Sequence, residues 1–203
     1  IDKLNQIKKL IVGGGAVSSQ LQEKLQSLNT EIFATYGMTE TITHIAIKKL
    51  NNNSVFPNFY KALSDVELYI DARNCLVIKA SKVSSELVIT NDVVNLISDT
   101  EFEWLGRFDN VINSGGIKLY PEKIEEKLSK IIKERFFVAG ISDEKLGEKL
   151  VLVIEGQKQD VDFNKVNLSR YEVPKEIFCI NEFIETNTGK IQRKKTKSLL
   201  NIF

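Results

Sequence analysis

The 203-residue sequence predicts an α/β segment that passes into a small β-meander or barrel and ends in a separate α+β unit. Three observations predict it. The chain opens on a strand, a glycine turn and a helix, the succession that marks a parallel α/β unit. Its middle third carries short apolar runs separated by turn residues. The remainder holds a hairpin, one amphipathic helix and three more strand candidates, and is the size of a small domain.

Lys9-Leu10-Ile11-Val12 is the first strand signal, and Gly13-Gly14-Gly15 turn the chain after it. Val17, Leu21, Leu25 and Leu28 then recur at helical spacing. Glu31-Ile32-Phe33-Ala34-Thr35 reads as the next strand. It delivers Tyr36-Gly37-Met38-Thr39-Glu40 to its C-terminal end, where open α/β sheets place ligands. Val66 to Ile70, Leu76 to Ile78, Leu87 to Ile89, Val94 to Ile97 and Phe102 to Leu105 are the meander strands. Asp71-Ala72-Arg73-Asn74 and Ser98-Asp99-Thr100 connect them as hairpin turns.

In the last part, Val111-Ile112 and Ile117-Lys118-Leu119 should pair around Ser114-Gly115-Gly116. Pro121 suits the first position of a helix, whose apolar face is Ile124, Leu128, Ile131 and Ile132. Acidic Glu122, Glu125 and Glu126 come first and basic Lys133 and Arg135 last, the order that complements a helix dipole. Phe136 to Ile141, Leu150 to Ile154 and Glu176 to Ile180 are strands expected to pack on this helix. A basic run from Lys190 to Lys197 follows.

Composition narrows the function classes. With 28 Lys+Arg against 27 Asp+Glu the net charge is +1, which argues against a general nucleic-acid coat. No apolar run reaches the ~18 residues of a membrane helix, so membrane insertion is not expected. Cys75 and Cys179 stand far apart and form no CxxC, which disfavours a disulfide scaffold or a zinc site and favours a reduced, cytoplasmic location. A homo-oligomer stays open. The chain begins at Ile1 and its single Met is Met38, so it reads as beginning inside a domain.

Several segments offer chemistry. Gly13-Gly14-Gly15 lack the further signatures of a dinucleotide or phosphate loop and read equally as a tight turn or a backbone platform. His44, the one histidine, has no nucleophile in a recognisable elbow and reads as a strand residue, structural or lining a pocket. Tyr36-Gly37-Met38-Thr39-Glu40 place an aromatic ring, a hydroxyl and a carboxylate together, suited to a base, a phosphate and Mg²⁺. Thr90-Asn91-Asp92 follow a strand, and Asp92 could accept two hydrogen bonds from a ribose diol. Arg107, in Gly106-Arg107-Phe108-Asp109, could reach ribose or phosphate. Lys190 sits on a glycine-preceded loop, Thr186-Asn187-Thr188-Gly189-Lys190, suited to meeting developing negative charge. Each of these could equally be a solvated turn if it stood alone.

Taken in order, the segments resemble the adenylate-forming superfamily of acyl-CoA synthetases, peptide-synthetase adenylation domains and luciferases. Tyr36 to Glu40 resembles its aromatic-Gly-x-Thr-Glu motif. Thr90-Asn91-Asp92 resembles Thr-Gly-Asp, with Asn91 in place of the glycine. Gly106 to Glu125 resembles the long hinge motif. Thr186 to Arg193 resembles the terminal Thr-x-x-Gly-Lys-Ile-x-Arg motif, with Glu185 where lysine is common. The stretches from Tyr36 to Ile45, Phe59 to Ile70 and Asn110 to Lys118 are most similar to the o-succinylbenzoate–CoA ligases of menaquinone biosynthesis.

The resemblance implies an AMP-forming ligase. A carboxylate attacks the α-phosphate of Mg-ATP to give an acyl-adenylate, and the thiol of coenzyme A then displaces AMP. It implies that Tyr36 stacks on adenine beside Gly37, that Thr39 contacts the α-phosphate and that Glu40 binds Mg²⁺. Asp92 and Arg107 would hold the ribose, and Lys190 would bridge the substrate carboxylate and the α-phosphate. Asp109 would be a hinge, and Gly115, Gly116 and Lys118 would serve the thioester step, with lysine standing where many relatives carry arginine. Gly14, Gly15, Thr43 and His44 would line the acyl pocket, His44 meeting the second carboxylate of o-succinylbenzoate.

By the same resemblance, residues 1–108 are the incomplete C-terminal portion of a large adenylation domain. Residues 109–203 are a small mobile lid carrying the catalytic lysine. The superfamily's Ser/Thr/Gly-rich phosphate loop is not recognisable in residues 1–35, so the isolated chain is expected not to form an acyl-adenylate. Other acyl- or aryl-CoA ligases, an adenylation domain loading a carrier protein, and a non-catalytic nucleotide-binding module are the alternatives.

Overall fold

A computed structural model describes residues 3–15, 17–52 and 59–200. The chain divides into two compact units, residues 1–108 and 109–203.

The first unit contains strands β1 (Lys9–Val12), β2 (Glu31–Gly37), β3 (His44–Lys49), β4 (Tyr60–Ala62), β5 (Glu67–Ile70), β6 (Cys75–Lys79), β7 (Val88–Ser98) and β8 (Glu101–Arg107), and the helix α1 (Ser19–Leu25). The strands form a single sheet in the order β1-β2-β3-β4-β8-β7-β6-β5. Only β1 and β2 run parallel; every other neighbouring pair is antiparallel. The parallel piece and the meander are therefore both present, joined as one open sheet through β3 and β4. The short β4 escapes a sequence pattern because three residues carry no periodicity, yet Tyr60 pairs with Phe102 and Ala62 with Ala46.

Two expected strands are one. Thr90-Asn91-Asp92 looked like a turn separating Leu87–Ile89 from Val94–Ile97, but β7 runs unbroken through them with an irregularity between Val93 and Val94. The ladder with β8, where Asp92 pairs with Arg107, outweighs the turn preference of the polar residues. Gly106 and Arg107 likewise lie within β8 instead of after it.

Helix α1 starts where Ser18 Oγ accepts the Leu21 N–H, an N-cap that satisfies one orphan donor. It stops at Leu25, short of the expected Leu28. Leu25 and Leu28 are buried with Ile32, Ala34 and Leu50, whereas Leu21 is exposed. Asn51 closes this layer from inside: its Oδ1 accepts the Ile32 N–H and its Nδ2 donates to the carbonyls of Leu25, Leu28 and Thr30. A second core under the meander contains Ile45, Leu68, Leu76, Ile78, Val94 and Phe102.

The second unit contains β9 (Ile112–Ser114), β10 (Ile117–Leu119), α2 (Pro121–Leu128), β11 (Phe136–Asp143), β12 (Gly147–Glu155), β13 (Glu176–Ile180) and α3 (Arg193–Lys197). Its sheet has the order β10-β9-β12-β11, and β13 pairs in parallel with β12. Residues 150–154 of β12 form an unbroken apolar run because both faces of the strand are covered. Leu150, Leu152 and Ile154 pack with Ile124 and Leu128 of α2, and Val151 and Val153 pack with Phe137, Phe183 and Leu200.

Helix α2 ends at Leu128, before the expected Lys133 and Arg135. Ser129 Oγ donates back to the Glu126 carbonyl, and the Lys130 and Ile131 N–H groups reach only three residues back, which winds the helix down. Among the described residues no helix is long and apolar enough to cross a membrane.

Candidate functional site

Strand β2 ends in a bulge at Tyr36/Gly37, and Gly37 is required there by space. A Cβ on Gly37 would come within 2.5 Å of the Thr43 carbonyl oxygen and 2.7 Å of the His44 Cα. The chain then makes one 3₁₀ turn over Thr39–Thr41. Thr41, fully buried, staples this turn: its Oγ1 accepts the Met38 N–H at 3.0 Å and lies 3.0 Å from the Met38 carbonyl and 2.8 Å from that of Thr43. The staple leaves Thr39 and Glu40 exposed. Ile42, next in line, holds φ +61°, a conformation a β-branched residue rarely adopts, and its side chain is 79% exposed.

An open depression of about 540 Å³ lies against this loop, lined by Gly14, Met38, Thr39, Ile42, Thr43 and His44 among others. Thr43 Oγ1 sits 3.2 Å from His44 Nδ1 at its rim. The structure thus brings Gly14, Gly37, Thr39, Thr43 and His44 to one surface, while Gly15 and Glu40 do not line it. Within the triple glycine, Gly14 turns the chain at φ +89°, and Gly13 permits close approach: a Cβ there would meet Thr35 Oγ1 at 2.6 Å. Thr41 and Ile42 were missed in the sequence. A small residue next to Glu40 and an exposed apolar residue carry no signal until the turn's geometry is known.

The second cluster is built across strands. Asp92 on β7 is 5% exposed and faces β2 on one side and Arg107 of β8 on the other. Tyr36 Oη donates to Asp92 Oδ2 at 2.6 Å, and Arg107 Nη1 lies 3.4 Å from Oδ1. The Tyr36 ring meets Phe102 edge-on at 5.1 Å and Tyr60 at 5.7 Å. Burial, reinforced by the Asp92 carboxylate, pushes the Tyr36 phenol far above the ordinary tyrosine range. Its hydroxyl is therefore a permanent donor at neutral pH. Asp71 organises the neighbouring β5–β6 turn, accepting from the N–H groups of Arg73 and Cys75 and from the Arg73 guanidinium. That guanidinium in turn donates to the Thr90 carbonyl and lies over the Phe108 ring.

The remaining expected residues belong to the second unit. Asp109 is exposed in a 3₁₀ turn, and Asn110 beside it donates to Glu122 Oε1 at 2.6 Å. Gly115 and Gly116, both at positive φ, make the tight β9–β10 turn, and Lys118 is exposed on β10. Lys190 is exposed on a loop closed by backbone: its N–H donates to Thr186 Oγ1, its carbonyl accepts the Thr186 N–H, and Glu185 bridges to Ile191. Three residues on, Arg193 grips Glu125 of α2 through two bonds of 2.6 and 2.7 Å. A cavity of about 90 Å³ is lined by Asp109, Asn110, Gly140, Glu148, Arg193 and Lys197 but not by Gly116, Lys118 or Lys190. Among the described residues no group of three or more His, Cys, Asp or Glu side chains is placed to hold a metal ion.

No protein-family model matches the chain. Among curated proteins it is similar to the 2-succinylbenzoate–CoA ligase of Listeria innocua, 27% identical over 213 residues that cover 94% of this chain and 46% of the relative. The enzyme of that name from Lactococcus lactis is 28% identical, with 97% and 48% covered. The chain spans about half the length of the curated relatives it matches. Among solved structures it resembles an acyl-CoA synthetase (AMP-forming)/AMP-acid ligase II-like protein from Dyadobacter fermentans, with 34% identity, 95% of this chain and 58% of that one covered, and a TM-score of 0.51. It also superposes on o-succinylbenzoate CoA synthetase from Bacillus subtilis in complex with its acyl-adenylate intermediate, with a TM-score of 0.79 at 21% identity, covering 94% of this chain and 46% of that one.

Proposed function

We propose, for a chain that carries the fold of the adenylate-forming enzymes, that it is the ribose-holding and lysine-bearing part of an AMP-forming ligase that joins o-succinylbenzoate to coenzyme A. The observation that carries this reading is the buried Asp92 carboxylate, held between Tyr36 of β2 and Arg107 of the paired strand β8. A buried carboxylate fixed in direction is what a vicinal diol of ribose needs. The curated relatives' name supports the acid and the thiol.

In this reading Thr39 and Glu40 meet the phosphates. Glu40 is a single carboxylate, and magnesium that arrives with nucleotide phosphates keeps several waters and takes only one or two protein carboxylates, so the residue fits that ion. When bound, the ion supplies positive charge to the phosphate oxygens. Lys190 neutralises the charge that grows as the substrate carboxylate attacks the α-phosphate. Gly14, Thr43 and His44 form the wall that receives the acid, with His44 toward its second carboxylate. Asp109 serves as a hinge, after which the Gly115-Gly116 turn and Lys118 act in the thioester step. Lys118 does so as a point charge without the fork of an arginine.

The test is release of AMP from o-succinylbenzoate and Mg-ATP by the protein that contains these residues. Release should require coenzyme A, and Lys190→Ala should slow adenylate formation by roughly 10²–10³ while sparing thioester formation from preformed acyl-adenylate. Release that depends on a carrier protein in place of coenzyme A would favour the adenylation-domain alternative. No AMP release with any carboxylate would refute the enzymatic reading.

A further inference from the structure

The geometry points to Tyr36 as a positioning residue whose hydroxyl sets the direction of the Asp92 carboxylate, leaving one acceptor site on each oxygen for the two hydroxyls of a vicinal diol. This rests on the ribose reading of Asp92 given above and extends it to a residue that would otherwise serve only as an aromatic surface.

An ionised carboxylate has about two acceptor sites per oxygen. Tyr36 Oη occupies one on Oδ2 at 2.6 Å, and Arg107 Nη1 lies against Oδ1 at 3.4 Å. The bond to tyrosine is short and the contact to arginine long, so the hydroxyl is the stronger of the two constraints. Neither partner of that bond is free to turn away. Phe102, wholly buried, meets the Tyr36 ring edge-on, and Tyr60 packs against it from another side. The Asp92 backbone is fixed by its pairing with Arg107 and by its own N–H, which donates to Thr90 Oγ1 at 3.1 Å. The carboxylate plane is thus held from both ends, and a diol meets a receptor already oriented.

The test separates this role from simple packing. AMP and 2′,3′-dideoxy-AMP are titrated into the 203-residue chain and into its Tyr36→Phe variant, which keeps the ring. The unmodified chain should prefer AMP by about tenfold or more, the worth of hydrogen bonds to a charged group. In Tyr36→Phe most of that preference should vanish through weaker AMP binding, with dideoxy-AMP binding unchanged. An undiminished preference in the variant overturns the role of Tyr36 alone. An equal loss for both ligands also overturns it, since that is the mark of a packing defect. Absence of any preference in the unmodified chain overturns the ribose reading and this inference together. Should Tyr36→Phe not fold, proton NMR of the unmodified chain decides: the Tyr36 hydroxyl, bonded at 2.6 Å to a buried carboxylate, should give a slowly exchanging downfield resonance that Asp92→Ala removes, and absence of that resonance in the unmodified chain overturns the inference.

Discussion

Arg193→Ala tests how the Lys190 loop is tied to the second unit. The side chains of Arg193 and Glu125 are 27% and 17% exposed and joined by two charge-assisted bonds. Removing one partner of a fully buried pair costs about 3–5 kcal/mol, because the other charge is left uncompensated. About a quarter of the Arg193 side chain is open to water, and the Val138 N–H still donates to Glu125 Oε1, so the pair's share falls to about 2–3 kcal/mol. Arg193 also lies 5.7 Å from the centre of the buried Phe137 ring, which adds about 0.5 kcal/mol. A total of about 3 kcal/mol should lower the melting temperature of a unit this size by roughly 10–20 °C. Arg193→Lys, which keeps charge but loses the fork, should lose about half as much.

The assay is thermal unfolding followed at two probes. Trp104, the chain's one tryptophan, belongs to the first unit, so its fluorescence should be unmoved while amide signals of β11 and β12 melt early. Acid should relieve part of the loss. Burial pushes the Glu125 carboxyl up and Arg193 opposes that push, so the variant's folded state binds a proton more readily than its unfolded state. Its deficit is therefore full at neutral pH and shrinks as pH falls toward the unfolded carboxylate value, about 4.3. A loss below about 0.5 kcal/mol, the range of ordinary surface substitutions, would refute the reasoning.

Two further outcomes are expected. Gly37→Ala forces a Cβ onto the Thr43 and His44 backbone, so it should cost about 2–3 kcal/mol or more in urea unfolding read by Trp104 fluorescence and reshape the depression; wild-type stability would contradict the tight approach. The Asp71 carboxyl is held below the usual aspartate range, chiefly by the Cys75 N–H, with Arg73 adding to the effect. Its contribution is therefore present above the unfolded value of about 3.9 and lost as pH falls through the lower folded value. Asp71→Asn should flatten that acid limb; an unchanged limb would show that the turn draws nothing from the charge.

Some features could be read locally. The first two strands, the glycine turn and the apolar run at 150–154 follow from local composition, because each is a short apolar segment or a glycine cluster whose role depends on its immediate sequence. Others could not. Ile131 and Ile132 continue the helical spacing of α2, yet the helix has ended, because Ser129 gives its hydroxyl to the turn. Polar Thr90-Asn91-Asp92 read as a turn when taken alone and lie mid-strand once β8 supplies their ladder.

The order and chemistry of the candidate residues were set by the amino acids themselves: an aromatic at the end of β2, a hydroxyl and a carboxylate after it, an aspartate and an arginine farther on, and a lysine after a glycine. Which of them meet was decided only by the tertiary structure. Tyr36 and Asp92 stand 56 positions apart and become hydrogen-bonded although three strands separate β2 from β7 in the sheet, because both strands pack on the same core. Gly13, against Thr35, and Arg73, bonded to the Thr90 carbonyl, acquire their roles in the same way. Periodicity records which face of an element is apolar, whereas the partner of a polar group is fixed by long-range pairing that no local pattern encodes.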